Sequence, residues 1–175
     1  MLREISLHIL DLAENSLSAG ASLITIEVTE DTRQDRLEVR VADNGRGMDP
    51  EMTARVTDPF VTSRTTRRVG LGLPFLKQAA EMCNGQFEIE STVGVGTTVT
   101  AIFQNSHVDR MPMGDLSGTL LTLVIGYPQA DFVFRHTVNG QVFEFDTRPI
   151  KAELEGVSLS EPSVIAYLKQ ELRDI

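Results

Sequence analysis

Tryptophan is absent from this sequence of 175 residues, cysteine occurs once and histidine three times. A single thiol excludes an internal disulfide framework and fits a reducing cytoplasm, and the scattered His and Cys side chains form no metal-ligand pattern. No apolar run approaches the roughly 18–20 residues that span a bilayer. The first residues mix acids into an apolar pattern and lack a cleavage site, which argues against a signal peptide. We therefore expect a cytoplasmic protein that does not associate with membranes.

Positive charge is also scarce. Sixteen Lys and Arg face 25 Asp and Glu, for a formal net charge of −9. Such an excess of negative charge repels phosphate backbones and anionic lipid surfaces, so we expect no nucleic-acid or membrane partner. An anionic ligand would have to be held locally, by backbone N–H groups, a metal ion or a few arginines.

Hydrophobic periodicity predicts an α+β fold: a two-layer sandwich of a mixed, mostly antiparallel sheet with helices on one face. We predict an N-terminal domain over 1–104, a linker over 105–114 and a small α+β module over 115–175. The expected helices cover 4–19, 50–56, 74–83 and 161–173, and the expected strands cover 23–28, 37–41, 86–91, 97–104, 132–136 and 142–145.

Two details of the C-terminal module follow from local residues. Asn139-Gly140 between two apolar runs predicts a type I′ hairpin. Asp115 is a suitable N-cap for a helix through about Gly126, although the β-branched residues of that segment fit a strand nearly as well.

Asp11 and Asn15 form the first candidate motif. Residues four apart in a helix share a face, so this carboxylate and this amide are expected to lie together. They could hold Mg²⁺ and orient a water or hydroxyl beside it. The alternative is that they are two polar residues on a solvated helix face.

The second motif follows a strand and contains Asp43, Gly45, Gly47 and Met48. A carboxylate at a strand end can accept a hydrogen bond from an exocyclic amine, and glycines let the backbone approach a flat ring. The same residues also fit an ordinary Asp-Asn-Gly turn.

The third motif is the hydroxyl- and arginine-rich run 58–68, which leads through Gly70-Leu71-Gly72-Leu73 into a helix. Unpaired N–H groups at a helix N-terminus bind phosphate, so we interpret the run as an anion site and not as a solvated loop. The fourth motif, a turn with two glycines before Thr97, is by itself only a hairpin turn.

The order and spacing of the four motifs resemble the superfamily of gyrase, a heat-shock chaperone, histidine kinases and mismatch-repair ATPases (GHKL, the Bergerat fold) over residues 1–104. The resemblance implies that the ligand is ATP or ADP with Mg²⁺, that Asn15 binds the metal, and that Asp43 reads the adenine amine. The nucleotide-binding residues that it implies are Asn15, Asp43, Gly45, Gly47, Met48, Phe60, Thr62, Arg64, Thr65, Gly70, Leu71, Gly72, Leu73 and Thr97.

Asp11 departs from the superfamily pattern, in which ATPases and anti-sigma-type serine kinases carry a Glu as general base. We expect Asp11 to be the catalytic residue of a slow ATPase, or of a kinase acting in trans on a protein partner in signalling. The whole chain faintly resembles stand-alone bacterial histidine-kinase-like proteins, and a homodimer is compatible with this interpretation. The alternative is a non-catalytic interaction module gated by the nucleotide.

Overall fold

The structure is a computed structural model that describes residues 3–58 and 72–175. Its helices are α1 (Ile5–Ser18), α2 (Pro50–Arg55), α3 (Gly72–Met82), α4 (Leu116–Gly126), α5 (Thr147–Leu154) and α6 (Pro162–Glu171). Its strands are β1 (Leu23–Asp31), β2 (Arg36–Asp43), β3 (Gln86–Thr92), β4 (Gly96–Gln104), β5 (Asp131–Val138) and β6 (Gln141–Asp146). Within the described ranges, no helix has both the length and the apolar character needed to cross a bilayer.

The strands form one sheet in the order β3-β4-β2-β1-β5-β6. The pairing of β1 with β5 is parallel, and the other pairings of neighbouring strands are antiparallel. This confirms the predicted α+β fold with a mixed, mostly antiparallel sheet.

Alternating side chains give the sheet one apolar face, as a period of two requires. In β1, Ile24, Ile26 and Val28 are fully buried. On the opposite face, Glu27 forms an ion pair with Arg40 of β2 at 3.4 Å. The apolar face packs against helices: α1 contacts β1 and β2, and α3 contacts β3 and β4.

The start of α1 is held by the segment that the sequence predicts to be a linker, 105–114. The backbone N–H groups of Ile5 and Ser6 donate to the carbonyl oxygens of Pro112 and Met113 at 3.0 and 2.8 Å. The first N–H groups of a helix have no partner inside it, so these two carbonyls replace a side-chain cap.

The C-terminal part continues both the sheet and the core. Phe134 of β5 lies opposite Ile26 of β1, and both side chains are fully buried. Residues of α4 and α6 belong to the same hydrophobic cluster as α1. The sheet and the core thus run across residues 105–114. The division of the chain into two domains there stays a prediction.

Local residues determine the helix after Asp115 and the turn at Asn139-Gly140. Asp115 accepts a hydrogen bond from Gly118 N at 2.9 Å, and the segment is helix α4 and not a strand. Asn139 and Gly140 have φ of 49° and 86°, as a type I′ turn requires.

Helix α5 is missing from the sequence prediction. Asp146, the last residue of β6, accepts from Arg148 N at 2.9 Å and so caps the helix directly at the end of the strand. An Asp that starts a helix, followed nine residues later by Glu155-Gly156 with left-handed φ, was the available signal.

Because the core is shared, we expect residues 1–104 and 115–175 to unfold together. Both tyrosines, Tyr127 and Tyr167, lie in the C-terminal part and the chain has no tryptophan, so tyrosine fluorescence reports on that part while far-ultraviolet circular dichroism reports on the whole. In urea the two transitions should coincide. Phe134→Ala should lower the free energy of unfolding obtained from each transition by about 3–5 kcal/mol.

Val142→Ala is the matched control, because Val142 is 60% exposed on the same hairpin. Its effect should stay within about 0.5 kcal/mol. Separate fluorescence and dichroism transitions would show instead that the C-terminal part folds independently.

Candidate functional site

A cavity of about 370 Å³ lies between α1, the end of β2, α2, the start of α3 and the β3–β4 hairpin. Six residues predicted to bind a nucleotide line it: Asn15, Asp43, Gly47, Met48, Leu73 and Thr97. Most of the remaining described lining is apolar and comprises Leu12, Ala19, Val41, Met52, Val56, Ile89, Val93 and Val99. The fold therefore brings residues from all four motifs to one cavity.

Asp43 is the last residue of β2, and its carboxylate is held from three directions. Oδ2 accepts a hydrogen bond from Ser16 Oγ at 2.6 Å. Oδ1 accepts from the backbone N–H of Gly45 at 2.8 Å and of Thr97 at 3.3 Å. Because a carboxylate has about four acceptor positions, this one can still accept a bond from a ligand while its orientation is fixed.

Gly47 has no room for a side chain. Its φ is 71°, and a Cβ built on it would overlap the carbonyl oxygen of Thr92 in the β3–β4 hairpin. The next residue, Met48, donates its N–H to Ser91 Oγ at 2.7 Å. The glycine thus allows the loop after β2 to dock against this hairpin and close one side of the cavity.

Asn15 has an unusual amide group. Its Nδ2 atom is buried and has no hydrogen-bond partner within the described ranges. A buried donor without a partner is costly, so the arrangement fits a group that binds a ligand. The side chain lines the cavity and also a neighbouring depression.

Asp11 lies outside the cavity. It lines the neighbouring depression of about 620 Å³, which we call the outer depression, together with Glu14, Asn15, Leu17, Ser18, Tyr127 and Gln129. Burial, and secondarily the charge of Glu14, raises the pKa of Asp11. Gly72 at the start of α3 lies so close that a Cβ there would overlap Oδ2 of Asp11.

The other predicted residues divide into two groups. Gly45 packs against Ala19 and donates to Asp43. Phe60, Thr62, Arg64, Thr65, Gly70 and Leu71 lie outside the described residues.

Ser16 is the functional residue that the sequence analysis missed. It is 4% exposed and follows Ile5, Ile9 and Leu12 on the apolar face of α1. A hydroxyl at a core-facing position of an amphipathic helix was the available signal, because buried polar groups need partners.

His8 is 3% exposed on the buried face of α1, and burial lowers its pKa to about 4. Its imidazole is therefore neutral and enclosed at physiological pH, which fits a packing role and not that of a phosphoryl acceptor.

Residues 2–107 match the model of the family described as histidine kinase-, DNA gyrase B- and HSP90-like ATPase. The match covers more than half of the chain, and the chain belongs to this family.

Curated relatives resemble the same part of the chain. A non-motile and phage-resistance protein of Caulobacter vibrioides is 34% identical over 117 residues, which are 62% of this chain and 14% of the relative. The sensor protein kinase FleS of Pseudomonas aeruginosa is 40% identical over 94 residues, 54% of this chain and 23% of the relative. The chain therefore spans less than a quarter of the length of these relatives.

Two solved structures share the fold. The MutL ATPase domain of Aquifex aeolicus, complexed with ADP, superposes with a TM-score of 0.55 at 15% identity, over 99% of this chain and 70% of that one. The N-terminal domain of a DNA repair protein gives 0.57 at 16% identity, over 83% and 53%. At these identities the likeness is one of fold alone.

Gly47→Ala and Gly94→Ala form a matched pair that tests the docking of the two loops. Both glycines have positive φ, 71° and 78°, but a Cβ at Gly94 meets nothing within 4 Å. Gly94→Ala should cost about 1 kcal/mol from backbone strain. Gly47→Ala should cost a further ~1–3 kcal/mol, because the hairpin must move. Equal losses in urea unfolding would contradict the docking role of Gly47.

Proposed function

We propose that the cavity binds Mg-ATP, with adenine at Asp43 and the phosphates toward Asn15 and the start of α3. The observation that carries the proposal is the Asp43 carboxylate, which three hydrogen bonds hold in a mostly apolar cavity. Membership of an ATPase family and the like fold of a protein complexed with ADP support it.

The walls of the cavity suit a flat purine ring. Val41, Ile89 and Val99 supply apolar surface, and binding sites of this kind use a few placed polar groups to fix orientation. Asp43 would accept the hydrogen bond of the exocyclic amine, a group that adenine has and guanine lacks at the same ring position.

The metal would be held by few protein groups. Among the described residues there is no cluster of three or more His, Cys, Asp or Glu that fits a metal ion. Mg²⁺ commonly keeps several waters and binds nucleotide phosphates together with one or two protein oxygens, so the amide oxygen of Asn15 is a suitable ligand. The ion would neutralise the negative charge that moves between the phosphate groups during phosphoryl transfer.

Asp11 is the proposed general base. A carboxylate whose pKa is raised takes up a proton more readily than an ordinary one, and Asp11 lies one helical turn from Asn15. The acceptor of the γ-phosphoryl group would be water or a partner protein in signalling, in the cytoplasm. Kinase names among the relatives favour a partner in trans, and a homodimer is part of the same proposal.

A second candidate function is a nucleotide-gated interaction module without turnover. The position of Asp11 favours it, because Asp11 lines the outer depression and not the cavity itself. The two functions differ in one measurable quantity, the release of phosphate at saturating ATP.

Asp43→Asn should weaken ATP binding by about tenfold to a hundredfold in calorimetry. The variant loses a charged acceptor, which is worth about 1.5–3 kcal/mol. Asp49→Asn is the matched control: Asp49 lines the same cavity, and its Oδ1 caps α2 by accepting from Met52 N at 2.7 Å. Asn caps a helix as well as Asp does, so this variant removes the same charge and should bind ATP normally.

An equal loss of affinity in both variants would assign the effect of Asp43 to charge and not to adenine recognition. Unchanged affinity in Asp43→Asn would remove Asp43 from the site.

If Asp11 is the base, turnover should fall as the pH drops through the raised pKa of Asp11, because only the ionised form accepts a proton. The charge of Glu14 contributes to that raised pKa. Glu14→Gln removes this contribution and should move the acid limb of the pH–rate profile to lower pH. Asp11→Asn should bind ATP with near-normal affinity and release no phosphate above background.

The control is Glu153→Gln on α5, which removes a similar charge from an exposed position and should leave the acid limb in place. Wild-type turnover in Asp11→Asn would end the case for Asp11 as base and favour the non-catalytic function.

A further inference from the structure

The outer depression has two walls of different origin. Helix α1 supplies five of its lining residues, whereas the other two, Tyr127 and Gln129, belong to the loop between α4 and β5. The match to the ATPase family ends at residue 107, so this second wall lies beyond the part of the chain that the family describes.

The α4–β5 loop is held firmly in place. Lys151 of α5 donates to the carbonyl oxygens of Pro128 and Ala130 at 2.9 and 2.7 Å and to Oδ1 of Asp131 at 3.0 Å. An ammonium group has three protons, and each has a partner here. At the end of the loop, Asp131 N donates to Ser22 O before β1 at 2.8 Å.

The outer depression adjoins the cavity along α1. Asn15 and Ser18 line both spaces, and Gly72 at the N-terminus of α3 lies against Asp11. Helix N-termini favour phosphate groups. A nucleotide whose base lies at Asp43 and whose phosphates lie at the start of α3, as proposed above, would place its terminal phosphate beside Asp11, which lines the outer depression.

We infer that the α4–β5 loop, with Tyr127 and Gln129, is the wall of the site that faces the terminal phosphate, and that Gln129 positions the hydroxyl group that accepts it. The inference rests on the proposed function. A glutamine amide both donates and accepts, and such a side chain is suited to orient an attacking water. Tyr127 limits the space in which the acceptor can lie.

The α1 wall supplies the proton acceptor for the transfer, Asp11. The hydroxyl oxygen forms a bond to the γ-phosphorus while the bond from that phosphorus to the β–γ bridging oxygen breaks. ADP leaves with the electron pair of the broken bond, and the proton of the hydroxyl goes to Asp11. Water and a serine or threonine side chain share this chemistry.

The position of the loop can be tested without turnover. In a Tyr167→Phe background Tyr127 is the sole tyrosine, and quenching of its fluorescence by acrylamide measures its exposure. A non-hydrolysable ATP analogue with Mg²⁺ should protect Tyr127 more than ADP with Mg²⁺ does. Equal protection by the two nucleotides, with binding of both shown by calorimetry, overturns the inference while leaving nucleotide binding intact. No binding of either nucleotide overturns the proposed function and the inference with it.

The positioning role is tested by turnover. Gln129→Ala should lower kcat between about tenfold and a hundredfold and leave ATP affinity within about twofold, because Gln129 does not line the cavity. Gln129→Glu keeps the size and an acceptor oxygen but replaces the NH2 donor with a second acceptor, and should recover part of the rate only if the acceptor oxygen orients the hydroxyl. Gln170→Ala on the exposed surface of α6 is the control and should match the wild type.

Lys151→Met tests whether the loop must be held. It should lower kcat in the same way with unchanged ATP affinity, whereas Lys169→Met, an exposed lysine of α6, should have no effect. Phosphate release distinguishes water as the acceptor, and labelled serine or threonine in an added partner distinguishes a protein hydroxyl. A wild-type kcat in Gln129→Ala, or a chain that binds ATP but transfers phosphate to neither acceptor, overturns the positioning role.

Discussion

The hydrogen bond from Ser16 Oγ to Asp43 Oδ2, 2.6 Å long, joins the helix that carries Asn15 to the strand end that carries the carboxylate. Ser16 is buried, so if the two groups separated, a hydroxyl without a partner would remain in the core, at a cost of about 1–3 kcal/mol. The contact therefore fixes the rotation of α1 relative to β2. The spacing between the amide of Asn15 and the carboxylate of Asp43 follows from it.

The same helix is also held from the C-terminal part of the chain. Carbonyl groups of Pro112 and Met113 accept the first N–H groups of α1, and α4 packs alongside it. Thr119 of α4 donates its hydroxyl toward Ser6 O at 3.5 Å. A helix whose two ends and one side are held in this way is a rigid support for site residues, which need positions defined to a fraction of an ångström.

The sequence predicts much of this arrangement because its signals are local. Helix periodicity, the cap at Asp115 and the Asn139-Gly140 turn each lie within a few residues of the structure that they specify. The parallel pairing of β1 with β5 had no such signal, since Leu23 pairs with Asp131 far along the chain and an apolar strand does not reveal its partner.

In the candidate site, too, local motifs are predictable from the sequence and long-range placement is not. The four motifs predict which residues meet at the cavity, and six of those that the structure describes line it. Of the other three, Asp11 lies in the adjoining depression, Gly72 lies against Asp11, and Gly45 donates a hydrogen bond to Asp43. The shared helix face of Asp11 and Asn15 is confirmed, because both line the outer depression. Asn15 reaches the cavity and Asp11, one helical turn earlier, does not. Helix periodicity predicts the shared face but not how far along the helix the cavity extends.

The surroundings of Asp11 make a carboxylate costly at this position. A carboxyl group whose pKa is raised on folding destabilises the fold when it ionises, since the native state holds the proton more tightly than the unfolded state does and stability falls as the pH rises through that range. Burial and the nearby charge of Glu14 both act in this direction, and at neutral pH the fold loses stability by keeping both acids beside Asn15. An uncharged side chain at position 11 would avoid that loss. Perturbed pKa values of this kind cluster at functional sites, which is consistent with the role proposed for Asp11.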